Sequence, residues 1–398
     1  ASVVAELLPW APQPVHSADV KLSRVDLAAL WPDAPRTDLS GTVLAAPNAG
    51  HWRADVDLHN TLGGPWDTQR LPLNTLRARL VQTGERQWQL DDLNATAGQG
   101  RLQGQGSVLL GDTTHTLSAS GRLSWTGLNP AALLSTLPAA PLNLVADASS
   151  GSDGNRVTVS ARPTSGQGGD HPLALRLAEL QGHWLGDVWT LERLRVELPQ
   201  AQLAAQRHWN TARQRGKGQG SFSAPGASAL WTSDLAPDAG NTKLDLQIQQ
   251  AERLLPWLQR AVGAVSPPGT WPAGWSARDA GALQLDWQGG WQQALRWWQA
   301  GATAPLGRRL AAQPALPVTL QLSLPTVSLT QAGQTTHLRA WSAALSGTSG
   351  RWQFSHQGQL AHQGHNAQLD SARTLWPDAE GPRLVAEQLR GNAQLARV

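Results

Sequence analysis

The feature that most constrains this chain is a β unit used twice. Residues 116–148, TLSASGRLSWTGLNPAALLSTLPAAPLNLVADA, read as strand, short capped turn, strand. Thr116, Ser118 and Ser120 alternate with Leu117, Ala119 and Gly121, the period-two pattern of a half-buried strand. Asn129-Pro130 then opens a short helix, because Asn caps free amides and Pro suits the first helical position. Pro138 and Pro141 end it, and Leu142, Leu144 and Ala146 resume the alternation. Shifted back 103 positions, VDLAALWPDAPRTDL (25–39) overlies LNPAALLSTLPAAPL (128–142), with Asp26 in the capping place of Asn129. A second pair, WQLDDLNATAGQGRLQGQ (88–105) and WTLERLRVELPQAQLAAQ (189–206), repeats at an offset of 101. Two elements at nearly one spacing indicate a repeat of about one hundred residues built from β-structure.

Short alternating runs continue through the chain. Trp52, Ala54, Val56 and Leu58 oppose Arg53, Asp55, Asp57 and His59. Leu76, Ala78 and Leu80 form another apolar row, followed by Val157 and Val159 and by Leu173, Leu175 and Leu177. Later rows are Leu244, Leu246 and Ile248, then Val318, Leu320, Leu322 and Leu324 against Thr319, Gln321 and Ser323. Gly, Asn, Asp and Pro clusters such as 151–155 separate them, as turn chemistry requires. Residues 250–300 depart from this pattern. ERLLPWLQRAVGAV (252–265) spaces Leu254, Leu255, Leu258, Ala261 and Val262 as a helix does, a strand is expected at Leu283, Leu285 and Trp287, and 289–301 reads as a second short helix. The expected units are 1–110, 111–210 and a divergent 211–398.

Many one-sided strands and few helices create an excess of apolar face. Each buried Leu or Val is worth about 1.5–3 kcal/mol, so the sheet either folds on itself as a sandwich or barrel or keeps an apolar groove for a greasy guest. Repetition without a closing signal favours the second. The expected fold is therefore mainly β: an elongated, curled antiparallel sheet of repeated units forming an open hydrophobic groove, with a few short helices. The apolar rows just named are its candidate lining.

Composition narrows the function. The 20 Trp, against 2 Phe and no Tyr, suit boundaries between apolar and wet regions. The net charge of +3 comes from arginines scattered among acids, without a basic run interleaved with aromatics, so no nucleic-acid partner is expected. With no cysteine, disulfide scaffolds and Cys-ligated metals are excluded. No nucleophile, phosphate-loop or dinucleotide motif is present. GQGRLQGQG (98–106) has turn-and-bulge spacing rather than phosphate-loop spacing. The 151–155 loop lacks the ligands for calcium. His356, His362 and His365 are expected to face solvent, and Asp91 and Asp92 to point to opposite faces of a strand or flank a turn. No enzyme activity, cofactor or metal is expected. No apolar run approaches the roughly 20 residues of a membrane span, and the missing initiator Met suggests an interior piece of a longer protein.

The repeated elements DLAALWPDAPRTDLSGTVLAA (26–46), GPWDTQRLPLNTLRARL (64–80), WQLDDLNATAGQGRLQGQGSV (88–108) and GLNPAALLSTLPAAPLNLVADA (127–148) resemble the middle region of the TamB family, which belongs to the AsmA-like group. The likeness is good across 18–210 and loose over 211–398. It implies a periplasmic protein of the translocation and assembly module in Gram-negative bacteria, with a long curled sheet and a greasy interior. It also implies phospholipid acyl chains as cargo between inner and outer membrane. Anchoring to the inner membrane and contact with the outer-membrane barrel protein TamA would be made through regions absent from this fragment. No family active site transfers. Two alternatives stand beside the lipid conduit: a periplasmic scaffold that holds outer-membrane or autotransporter strands during assembly and secretion, and a surface protein of closed β-sandwiches.

Overall fold

The computed structural model describes residues 2–7, 15–31, 33–48, 51–110, 117–152, 154–164, 171–263, 280–292, 295, 318–331, 334–348, 351–362, 365–378 and 381–390. The chain forms two compact units, Ala1–Pro199 and Gln200–Val398.

Unit 1 holds twelve strands. They are β1 (Ser2–Leu7), β2 (Val15–Val25), β3 (Leu39–Asn48), β4 (His51–Asn60), β5 (Thr75–Gly84) and β6 (Gln87–Ala97). β7 (Gly100–Leu110), β8 (Leu117–Leu128), β9 (Leu142–Gly151), β10 (Gly154–Pro163), β11 (Leu177–Leu185) and β12 (Val188–Glu197) follow. Each pairs antiparallel with its sequence neighbours from β1 through to β12. At ~4.8 Å between strands this ladder is on the order of 50 Å wide.

Unit 2 repeats the plan with β13 (Gln202–Asn210), β14 (Arg215–Ala224), β15 (Ala227–Leu235), β16 (Gly240–Ile248) and β17 (Gly281–Gln288). It continues with β18 (Val318–Gln331), β19 (Gln334–Thr348), β20 (Arg351–His362), β21 (His365–Asp378) and β22 (Gly381–Arg390), all in one antiparallel meander. The sheet is open and curled, not closed, so the sandwich alternative is not what forms.

The hundred-residue repeat is a six-strand unit. Strands β2 to β7 start at 15, 39, 51, 75, 87 and 100, and β8 to β13 start at 117, 142, 154, 177, 188 and 202. The capped turns recur with them. Asn129 accepts a hydrogen bond from the Ala131 amide at the head of α1 (Pro130–Leu133), and Asp26 accepts one from Ala28 at the head of a 3-10 turn, Leu27–Ala29. Even the irregularities recur. β2 slips register around Arg24 (φ 50°), and β8 does so around Gly127 (φ 67°). Asp91 is the extra residue of a bulge between β5 and β6, and Glu192 that of one between β11 and β12. A bulge bends its strand and increases local twist, so repeating it at one place in each unit turns the sheet the same way each time.

Apart from Asn155 and Trp184 at the opposite end of β10 and β11, the described buried side chains of unit 1 lie along one rim, where β2, β4, β6, β8 and β10 end. Leu39, Ala95, Ala97, Leu128, Leu142, Ala161 and Ala174 are buried there, with Thr37 and Asn60. Asn60 holds the rim together: its Oδ1 accepts from the amides of Asp38 and Leu62, and its Nδ2 donates to the Leu73 carbonyl. Thr37 Oγ1 donates to the Val25 carbonyl and accepts from the Leu27 amide. The Asp67 carboxylate reaches across to the Ser135 amide and hydroxyl, tying the β4–β5 loop to α1. Those bonds hold its carboxyl below the usual aspartate range.

Close backbone approach is required at Gly41, whose φ is +144° and where a Cβ would come within 2.0 Å of the Asp57 carbonyl oxygen. The Gly41→Ala variant is expected to lose about 2 kcal/mol of unfolding free energy, read as a lower urea midpoint at unchanged slope.

Candidate functional site: one apolar sheet face

Directly paired residues of an antiparallel ladder project to the same face, so the register traces each face from strand to strand. In unit 1 one row runs Val20, Val43, Val56, Ala78, Leu93, Gly104, Leu123, Ala146, Val159, Leu180, Leu194 across β2 to β12. The row beside it runs Ala18, Ala45, Ala54, Leu80, Leu90, Gly106, Gly121, Ala148, Val157, Gly182, Leu191. Neither row contains a charge. Where glycine occupies it, a neighbour fills the place: a Cβ on Gly104 would meet Leu123 Cδ2 at 2.3 Å.

Unit 2 has its own rows. One is Phe222, Ala229, Leu246, Leu283, Leu322, Ala343, and the next is Gly220, Trp231, Leu244, Leu285, Leu320, Leu345, Phe354. Arg207 also faces this side, with its guanidinium 4.9 Å from the Trp209 ring centroid. At one end α2 (Ala251–Gly263) lies against the face. Leu254, Trp257 and Ala261 are buried, the Trp257 ring is 6.1 Å from that of Phe222, and Pro256 sits inside the helix. This is the helix expected over 252–265. The one expected over 289–301 falls mostly outside the described residues.

The apolar rows are mostly half-buried, and among the described residues no strand pairing adds a second layer over them. Leu44 and Leu230, on the polar face, are 47% and 64% exposed, and Leu123 and Leu110, on the apolar face, are 38% and 46% exposed. A depression of about 550 Å³ lies over β15–β18, lined by polar-face residues such as Thr232, Lys243, Asp245, Gln284, Asp286 and Gln321 together with Leu230, Trp231, Leu244 and Leu285.

The polar face carries ion pairs both within and between strands. Asp55 is held by Arg53 at 2.8 Å and Arg79 at 2.9 Å, Asp57 by Arg77 at 3.1 Å, and Asp234 by Arg215 at 2.9 Å. Hydrogen bonds from Arg53 and Arg79 hold the Asp55 carboxyl below the usual aspartate value, and Arg215 does the same for Asp234. Among the described residues, every group with a shifted pKa sits on this face or on the rim loops. A depressed folded-state pKa adds stability that is full above the unfolded value, near 4, and is lost as pH falls through the folded one. With the Asp55 side chain 38% exposed, solvent limits that contribution to less than about 1 kcal/mol. An acid titration of stability should therefore fall slightly more steeply below about pH 4 for the parent than for Asp55→Asn.

The structure places most of the expected lining residues on the apolar face. Leu76, Ala78 and Leu80 share it with Val157 and Val159 in unit 1. Leu244, Leu246, Ile248, Val318, Leu320, Leu322 and Leu324 share it in unit 2. Three do not. Leu173 and Leu175 precede β11 in a turn, where the Leu173 amide donates to His171 Nδ1. Leu177 pairs with Glu197 on the polar face, because β11 turns Ala178, Leu180 and Gly182 inward. The histidines also differ from expectation. His356 is half-buried on the apolar side, its Nδ1 2.9 Å from Ser371 Oγ and its ring near Phe354 and Trp341. His362 Nδ1 lies 2.7 Å from Thr336 Oγ1, and the side chain of His365 lies outside the described residues. The bulge puts Asp91 and Asp92 together on the polar face, both exposed, rather than on opposite faces.

Sequence reasoning passed over Leu90 and Leu93, which a bulge spaces by three, and Gly104, Gly106 and Gly182, which carry no apolar signal of their own. No helix among the described residues is long and apolar enough to cross a membrane. No family model, curated protein or solved structure matches the chain.

Proposed function

We propose that the apolar face is a path for hydrocarbon chains, and that the protein is a periplasmic lipid conduit of the TamB kind carrying phospholipid between inner and outer membrane. The observation that supports this is the unbroken apolar register from β2 to β12, repeated from β14 to β20. A phospholipid with about 30 chain methylenes loses on the order of 25 kcal/mol on entering water. Movement across an aqueous gap therefore needs a surface on which each step exchanges one apolar contact for another. A ladder whose neighbouring strands all present Val, Leu and Ala to one side offers that. No acid, base or nucleophile of shifted pKa lies among these rows, so the face is suited to carrying and not to reacting.

Photocrosslinking in cells tests the reading. Crosslinkers at Ala78, Val159, Leu246 and Leu320 are expected to capture phospholipid, and those at the adjacent Arg79, Ser160, Gln247 and Gln321 are not. Capture of outer-membrane polypeptide at the first set, in place of lipid, would support the assembly scaffold. Equal capture at both sets would contradict a one-faced path.

A further inference from the structure

Between the outer flank of α2 and the turn joining β14 to β15 lies an open cleft of about 610 Å³. Glu252, Arg253 and Arg260 line it from the helix, and Gln200 and Ser223 line it from the sheet. Leu254, Trp257 and Ala261 fix α2 to the sheet by its buried side, which leaves residues 252, 253 and 260 exposed on the other flank. The two arginines are held in place without an anion. Arg253 Nη1 donates to Gln250 Oε1 at 3.0 Å and Arg260 Nε to the Pro256 carbonyl at 3.3 Å, both neutral acceptors. Among the described residues neither guanidinium forms an ion pair. Two oriented cations therefore share a cleft with one carboxylate, Glu252, and the excess charge is positive.

Their spacing selects the anion. Residues 253 and 260 are two helical turns apart, about 10 Å along the axis. Both side chains reach back toward the helix N-terminus, one by three residues and the other by four, so the charged ends keep that separation. An N–H···O bond spans about 2.9 Å at each end, which leaves ~4–5 Å between the two accepting oxygens. The oxygens of a single phosphate or carboxylate lie closer together than this, and the outer oxygens of a diphosphate match it. A diphosphate also keeps oxygens for the Gln200 amide and the Ser223 hydroxyl, whereas one guanidinium fork uses both oxygens of a carboxylate. Glu252 opposes the anion and lowers its affinity.

We propose that this cleft binds a diphosphate ester, with Arg253 and Arg260 each donating to one of its two phosphates. The site stands apart from the hydrocarbon path, because the diphosphate is the group recognised whether a soluble nucleoside or a lipid carries it.

The full chain is titrated calorimetrically with inorganic pyrophosphate, phosphate and succinate. The parent is expected to bind pyrophosphate about tenfold more tightly than either of the others. Arg253→Gln and Arg260→Gln are each expected to weaken pyrophosphate about five- to tenfold, and Glu252→Gln to strengthen it about two- to threefold. Arg215→Gln makes the same change of charge on the polar face, outside the cleft, and is expected to leave pyrophosphate binding unchanged. All four positions are exposed, and urea midpoints verify that the variants stay folded. Adenosine diphosphate and farnesyl diphosphate then identify the carrier: tighter binding of the first assigns a soluble ligand, tighter binding of the second a lipid-linked one, and either supports the site. Absence of pyrophosphate binding, equal binding of pyrophosphate, phosphate and succinate, or a loss in Arg215→Gln as large as in Arg253→Gln overturns the inference. None of these results bears on the hydrocarbon path, which the crosslinking experiment tests separately.

Discussion

The Leu322→Arg variant is expected to fold nearly as well as the parent and to bind acyl chains about a hundredfold more weakly or worse, because a guanidinium set against hydrocarbon costs several kcal/mol. Leu322 lies in the interior strand β18, paired with Leu283 on one side and Ala343 on the other. It is half-buried, so the chain loses little of its own packing; about 1 kcal/mol is a fair upper figure for the stability change. Arginine can extend its stem to reach water, but both flanking rows are apolar and keep the charge over the path. Thermal unfolding and titration with a fluorescent acyl probe separate the two effects. A variant that melts far below the parent would mean that Leu322 is core. One that binds probe normally would mean that chains do not pass there.

Asn60→Ala should behave in the opposite way. Asn60 is 1% exposed and is the largest side chain in the described chain that is fully buried. Its amide serves Asp38, Leu62 and Leu73 at once. Truncation would leave two backbone amides and one carbonyl without partners in the rim between β3 and β5, at a cost of about 3–4 kcal/mol. Unfolding should shift accordingly in urea, while any protein that remains folded keeps its affinity for the acyl probe. The pair of variants divides the molecule physically: stability is concentrated in the polar-bonded rim, and the middle of the apolar face is left for a guest.

Much of this was legible in the chain itself. Period-two alternation at 52–59 and at 318–324 marked the strands and their apolar side, because a sheet with one wet face selects polar residues there. The capped turns at Asp26 and Asn129 were readable for the same reason, since cap chemistry is local. Legibility failed where tertiary register outweighs local pattern. Leu173, Leu175 and Leu177 look like an inward row, yet the strand begins only at Leu177 and its phase is set by the small residues Ala178 and Gly182. The bulges at Asp91 and Glu192 break the period that would have revealed Leu90, Leu93, Leu191 and Leu194. His356 was misplaced because its partner Ser371 is supplied by the next strand, 15 residues on. Nothing within a single strand signals that pairing.

The most direct test of an apolar face open to hydrocarbon is residue-resolved labelling of the folded protein in water with a small alkyl diazirine. The account predicts label at Leu76, Ala78 and Leu80 and at Val318, Leu320, Leu322 and Leu324, with Arg77, Arg79, Thr319 and Gln321 spared. Label spread evenly over both faces, or concentrated on the polar-face leucines Leu44 and Leu230, would contradict it.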